Sequence, residues 1–154
     1  MPRMVCDMIE AHVYRITRDG PEFLVLRRAP QERLPGTWHG IYGVIQPGET
    51  SPQAAVREIQ EETGLEPLAL YQLDTVNTFY VAAEDLIYNN PVFVAQVAHT
   101  AVVRLDAEHD AFEWLPPDQA MARYLWPGQR RAIAEIMTDI VTPGPATPYL
   151  RIPL

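Results

Sequence analysis

Residues 43–65, GVIQPGETSPQAAVREIQEETGL, concentrate four glutamates, one arginine and three glycines in 23 positions. Pro47-Gly48 is a turn. Thr50 or Ser51 can cap a helix, Pro52 suits its first position, and Gly64 stops it. Thr50 with Gln53 would make a capping box. At about 100° per residue, Glu58, Glu61 and Glu62 share an arc of roughly 100°. Ala55, Val56 and Ile59 take a neighbouring arc that should face a core. Like charges at i, i+3 and i+4 repel by roughly a few tenths of a kcal/mol per pair, and Arg57 relieves only part of this. A divalent cation reverses the sign of the arrangement, because hard cations take carboxylate oxygens. Alone, EIQEE is the pattern of an ordinary solvated helix face; the spacing around it decides otherwise.

Gly43 is followed after five residues by Glu49, and after seven more by Arg57-Glu58-Ile59-Gln60-Glu61-Glu62-Thr63-Gly64-Leu65. This matches every fixed position of the Nudix signature. With each required residue type at about 5–7% usage, a chance match is on the order of 10⁻⁹ per start position. The chain strongly resembles a Nudix hydrolase, and the softer motifs below resemble the dihydroneopterin triphosphate and dNTP pyrophosphohydrolase subgroup. The resemblance implies an α+β fold, a Nudix-type α/β/α sandwich with a mixed β-sheet. It implies hydrolysis of a nucleoside diphosphate linked to another moiety, with Mg²⁺ as the cofactor and Mn²⁺ as its substitute. By position, Glu58, Glu61 and Glu62 resemble the metal-binding and catalytic acids, Glu58 and Glu62 foremost as ligands. Glu49 and Arg57 resemble the pair that ties the loop to the helix, and Gly43 and Gly64 support its two ends. Tyr42 stands where many relatives carry a second glycine. Glu108, ahead of Glu113-Trp114, is the candidate for the further acid that completes such sites. The general base stays open among Glu58, Glu61 and Glu108.

The elements that must position these groups are legible in outline. Val5–Ile16 is a strand, Arg18-Asp19-Gly20-Pro21 a turn, and Glu22–Arg28 the returning strand of a hairpin. Ala29–Thr37 is a loop, and Trp38–Ile45 a short strand broken at Gly40 and Gly43. Leu68–Val81 carries strand-type residues around a polar break at Asp74, and Pro91–Val103 is a buried strand or pair. Helices are predicted over Pro117–Tyr124 and Gly128–Val141, the second with Ile133, Ile136, Met137 and Ile140 on one face. Strands, a central helix, strands and then helices argue for α+β rather than regular βαβ alternation. Arg27 and Arg28, at a strand end, are candidates to grip phosphate. Trp38, Tyr42 and Trp126 are candidate platforms for a substrate ring. His12 and His99 fall in predicted strands and read as structural; His109 reads as an exposed loop histidine.

A length of 154 residues fits one domain, here 1–154. Within it, the Pro-rich tail 143–154 is expected to pack as an extended arm, with a homodimer as one way to hold it. Net charge is −8, with no basic patch, so a nucleic-acid polymer is not the expected partner. No apolar run approaches the roughly 20 residues of a membrane span, and Asp7 and Glu10 break the N-terminal apolar character, unlike a signal peptide. Cys6 is the only cysteine, which excludes an internal disulfide and makes the cytoplasm the expected compartment.

Within the class, the motifs Trp38–Val44, Glu108–Leu115 and Trp126–Ile133 resemble that subgroup. The resemblance implies cleavage of a small nucleoside or pterin triphosphate to monophosphate plus pyrophosphate. The alternatives are a nucleotide-sugar (ADP-ribose) or dinucleoside polyphosphate pyrophosphatase, and a non-catalytic nucleotide-sensing module. Sensors of that kind commonly lose a catalytic glutamate, and this chain keeps all of them.

Overall fold

The computed structural model describes residues 1–154. Strands β1 (Arg3–Val5), β2 (Met8–Thr17), β3 (Gly20–Arg28), β4 (Trp38–His39) and β5 (Ile41–Val44) precede helix α1 (Ser51–Thr63). Then come β6 (Ala69–Gln72), β7 (Asn77–Val81), β8 (Leu86–Asn90), β9 (Val92–Gln96) and β10 (His109–Leu115). Helices α2 (Pro117–Arg123) and α3 (Pro127–Ile136) follow, with α3 running on as a π-helical turn over Met137–Val141. The chain ends in a one-turn helix α4 (Thr147–Leu150) and strand β11 (Arg151–Ile152).

The main sheet has the order β10-β3-β2-β9-β6-β11, with β2 and β9 parallel. The hairpin partners β2 and β3 pair only from Tyr14 to Thr17 on β2. Below that they splay, and β5 takes over the pairing with Met8–Ala11 while β4 pairs with Leu26 and Arg27. Gly40 sits between β4 and β5, where an added Cβ would lie 2.9 Å from the Ala11 carbonyl. The wedge therefore needs glycine at that point, and it brings His39, Tyr42 and Gly43 into the centre of the molecule.

Side chains alternate across the sheet. Ile9, Ala11 and Val13 face one core with Leu26, Ile41 and Ile59 of α1. Tyr14, Phe23, Val25 and Val94 face a second core with Ile133, Ile136 and Ile140. The sheet is thus covered on both faces, the expected α/β/α sandwich, and Glu10 and His12 lie on the α2–α3 side with no route to solvent.

Helix α1 forms for the reasons its sequence carries. The Thr50 side chain accepts from the Gln53 amide, the Gln53 side chain bonds back to the Thr50 amide, and Gly64 closes the helix at φ 69°. Two expectations are corrected, and one strand is new. Only Val92–Gln96 of Pro91–Val103 is strand; the rest, His99 included, is irregular. Strand β8 pairs with β7 and, in parallel, with β1 in a separate three-stranded sheet. The tail is no extended arm: Arg151 and Ile152 pair with Tyr71 and Leu70 of β6. It folds back because Leu150 is buried there, while Leu154 stays exposed. The tail is held by its own sheet, which removes the reason for placing a dimer there.

Candidate active site

Arg57 organises the acidic helix. Its Nε and Nη2 donate to the two Glu49 oxygens at 2.7 and 2.9 Å, and Nη2 also donates to the Val44 carbonyl at 3.0 Å. Glu49 accepts in turn from the Gln46 amide. The Arg57 hydrogen bonds, with that amide, hold the Glu49 carboxyl down at about 2. This pair clamps the loop after β5 onto α1. Arg57 Nη1 then reaches Glu58 at 2.6 Å and Glu61 at 3.1 Å. Glu61 is 58% exposed, so it lies at the rim. Glu58 points inward against Gly43, where any Cβ would overlap its carboxyl carbon. Gly43 is thus required by close approach rather than by backbone freedom. Desolvation raises the Glu58 carboxyl above its usual range, with Arg57 opposing.

Glu62 is deeper, at 4% exposure, and its Oε2 has no hydrogen-bond partner. Burial, then the charges of Asp106, Glu58 and Glu108, push its carboxyl up to about 10. Carboxylate oxygens of Glu62, Asp106 and Glu108 lie within 4.8 Å of one another. The loop that brings the last two is docked on the end of α1: the Arg104 amide donates to the Thr63 carbonyl at 2.8 Å, and the Asp106 amide to the Glu62 carbonyl at 3.3 Å. An orphaned buried carboxylate oxygen and an all-oxygen donor set fit a hard divalent cation.

His109 is buried rather than exposed, because it starts β10 and turns inward while its charged neighbours turn out. Its Nδ1 bonds Asp106 at 2.8 Å, and its Nε2 stands 4.0 Å from Glu62. His39 lies next to it, ring centroids 5.3 Å apart. Burial first, then Arg28, lowers the His39 ring to about 3, so it is neutral. Arg28 forms no ion pair within 4.0 Å and its charge acts on Glu62, His39 and Tyr42. Arg27, by contrast, is bound to Asp110 at 2.7 Å.

Of the proposed ring platforms, Trp126 is 50% exposed at the start of α3. Trp38 carries the guanidinium of Arg123 at 4.7 Å and that of Arg27 at 5.7 Å, so two cations already occupy its neighbourhood. Tyr42 is held by its hydroxyl, which accepts from Gln129 Nε2 at 2.8 Å. Asp106, His39 and Gln129 were not singled out in the sequence. Only Asp106 left a signal, as a second carboxylate two positions before Glu108.

A NUDIX domain family model matches residues 8–136. The chain belongs to the Nudix family. A CTP pyrophosphohydrolase of Escherichia coli is 32% identical over 123 residues, 78% of this chain and 84% of that protein. An octanoyltransferase of Myxococcus xanthus is 38% identical over 118 residues, 74% of this chain but only 32% of that protein. The chain thus spans about a third of that relative's length. Among solved structures, an Ap4A hydrolase of C. elegans superposes with a TM-score of 0.71 at 22% identity, covering 90% of this chain and 96% of that one. At that identity the likeness concerns the fold. No helix is long and apolar enough to cross a membrane.

Proposed function

We propose that the chain hydrolyses a small nucleoside or pterin triphosphate to the monophosphate and pyrophosphate, with dihydroneopterin triphosphate first and deoxynucleoside triphosphates next. The observation that carries this reading is the Glu62–Asp106–Glu108 group, which runs from buried Glu62 through half-buried Asp106 to exposed Glu108, with Glu58 beside it and the unpaired Arg28 guanidinium in the same field. The E. coli relative is named for the same kind of cleavage. Glu62, Asp106 and Glu108, with Glu58, would hold Mg²⁺, or Mn²⁺ in its place. Bound there, such an ion neutralises phosphate charge and acidifies water.

The chain's own groups do the rest. Phosphoryl transfer asks mainly for positioning and charge. Arg28 grips a phosphate oxygen. Water adds to a phosphorus, the bridging P–O bond breaks, and pyrophosphate leaves with that electron pair. The water proton goes to one of Glu58, Glu61 and Glu108, of which Glu58 and Glu61 share the Arg57 guanidinium. His109, oriented by Asp106, stands with its Nε2 4.0 Å from Glu62, on the inner side of that carboxyl. A compartment without disulfide chemistry, such as the cytoplasm, suits the lone Cys6.

Product analysis tests the reading. With Mg²⁺, phosphate should be detected only after inorganic pyrophosphatase is added, and EDTA should abolish the signal. Direct release of single phosphates would refute the cleavage position. A ten-fold preference for ADP-ribose or a dinucleoside polyphosphate would refute the substrate. Tight nucleotide binding with no turnover would mark a sensor instead.

A further inference from the structure

Glu108 is the exposed member of the acidic group, on the irregular stretch between β9 and β10. An exposed loop carboxylate samples many directions, which is a poor start for holding a cation. The backbone of Glu108 is nevertheless tied down. The Ala29 amide donates to the Glu108 carbonyl at 2.9 Å. The Gln31 side-chain amide donates to the Ala107 carbonyl at 2.7 Å. These two carbonyls belong to the successive peptide planes on either side of the Glu108 Cα. Each plane is stiff, so restraining both restrains φ and ψ of Glu108, and with them the direction of its Cα–Cβ bond. Only side-chain torsions are left for a ligand to order.

The post that carries Gln31 is itself fixed. Residues 29–37 close on their own base: the Arg28 amide donates to the Thr37 carbonyl and the Gly36 amide to the Arg28 carbonyl, both at 3.0 Å. The Glu32 amide bonds the Ala29 carbonyl at 3.1 Å, and the Thr37 hydroxyl donates to the Leu34 carbonyl at 2.7 Å. Leu34 at φ 52° and Gly36 at φ 77° make the tight turn that this closure needs. The loop is a closed clip rather than a swinging flap. Gln31 is the one residue that gives the backbone of residues 105–108 a side-chain donor. The clip also begins at Arg28, the phosphate grip of the proposed reaction. Residues 28–31 thus run from that grip to the ties on Glu108, and they set the spacing between the two.

We propose that Gln31 is a positioning residue for Glu108: its amide presets the loop acid toward Glu62 and Asp106, so that a divalent cation meets a formed ligand set. The inference rests on the metal-site reading above. Gln31 itself touches neither cation nor substrate. Partners just behind a metal ligand are worth roughly 10- to 100-fold in metal affinity. This tie acts through the backbone, so the low end of that range applies. If the bond merely held the clip in shape, the cation would not sense its loss.

The test is Gln31→Met, which keeps the length of the side chain and removes the donor. Gln31 is exposed, so the change spares the core. Arg33→Met is the control, on the same clip but facing Glu84 instead. Mn²⁺ is the probe, titrated into each full chain without substrate and read by electron paramagnetic resonance. Its Kd should rise about ten-fold in Gln31→Met and hold steady in Arg33→Met. In metal-free protein, the Asp106 amide, bonded to the Glu62 carbonyl, should exchange with solvent faster in Gln31→Met, as read by NMR. In turnover, the half-saturating Mg²⁺ concentration should rise by the same factor, and excess Mg²⁺ should restore kcat with substrate KM unchanged. Native Mn²⁺ affinity in Gln31→Met, or an equal loss in Arg33→Met, overturns the proposal. Mn²⁺ affinity that is the same in the unmodified chain and in Glu62→Gln refutes the metal reading instead. Asp106 exchange then decides for Gln31: faster exchange in Gln31→Met keeps its positioning role, and equal exchange removes it.

Discussion

Gly43→Ala should disable the site while sparing the fold. The new methyl group would overlap the Cγ and Cδ atoms of Glu58. Carbon atoms rest at about 3.5–4.0 Å, so the Glu58 carboxyl must retreat by more than about 1 Å. It is the far end of a flexible side chain, so retreat costs little stability. The retreat breaks the 2.6 Å bond from Arg57 and moves the carboxyl away from Glu62 and Glu108. Misplacing a reacting group by about 1 Å costs on the order of 10²-fold in rate. Turnover should therefore fall about 100-fold at saturating Mg²⁺, with melting temperature within a few degrees of the unmodified chain. The double variant with Glu58→Gln separates cause from coincidence. If Gly43 acts through Glu58, the two losses do not add, and the double variant is about as slow as Glu58→Gln alone. The assay is pyrophosphate release across the four proteins of this cycle, with thermal melts of each. Activity within three-fold of native for Gly43→Ala, or fully multiplicative losses, would refute the reasoning.

Glu58→Gln and Glu62→Gln should each lower turnover by at least about 10²-fold at saturating Mg²⁺; near-native rates in either would remove it from the machinery. The Glu62 carboxyl lies at about 10 in the metal-free fold, above its unfolded value, so the folded state holds the extra proton between those limits. Metal-free stability should then fall as pH rises from about 5 to 9, and Glu62→Gln should flatten that slope in melts run in EDTA. Deleting residues 146–154 removes the buried Leu150 and the strand on β6, at about 3 kcal/mol. Melting temperature should drop by about 5–10 °C, with no change of mass by light scattering; a loss of mass would restore the tail to a dimer.

The parts legible in the sequence are those where local chemistry decides. Thr50, Gln53 and Gly64 set the limits of α1 by hydrogen bonds that close within a few residues. The β2–β3 turn is likewise set by its own glycine. Strand β8 was hidden because Asn89-Asn90-Pro91 reads as a turn, while its pairing with β1 joins residues over eighty positions apart. Asp106 was hidden for a related reason. Its place beside Glu62 comes from backbone amides docking on the end of α1, and backbone bonds leave no mark on side-chain composition.

Glu10 is the most instructive case. A carboxylate such as Glu10, between the apolar residues Ile9 and Ala11 of a strand, is expected to face water. That reading holds for a strand with one wet face. Strand β2 is central, with α1 over one face and α2–α3 over the other, so it has no wet face. Once the second helical layer is in place, a charge at position 10 must be matched from inside, by His12 on the same strand and by Asn77 from a different sheet. Sequence periodicity assigns a face, but only the sandwich says whether that face is dry. A carboxylate kept on a dry face, with unpaired amides beside it, is costly for stability alone.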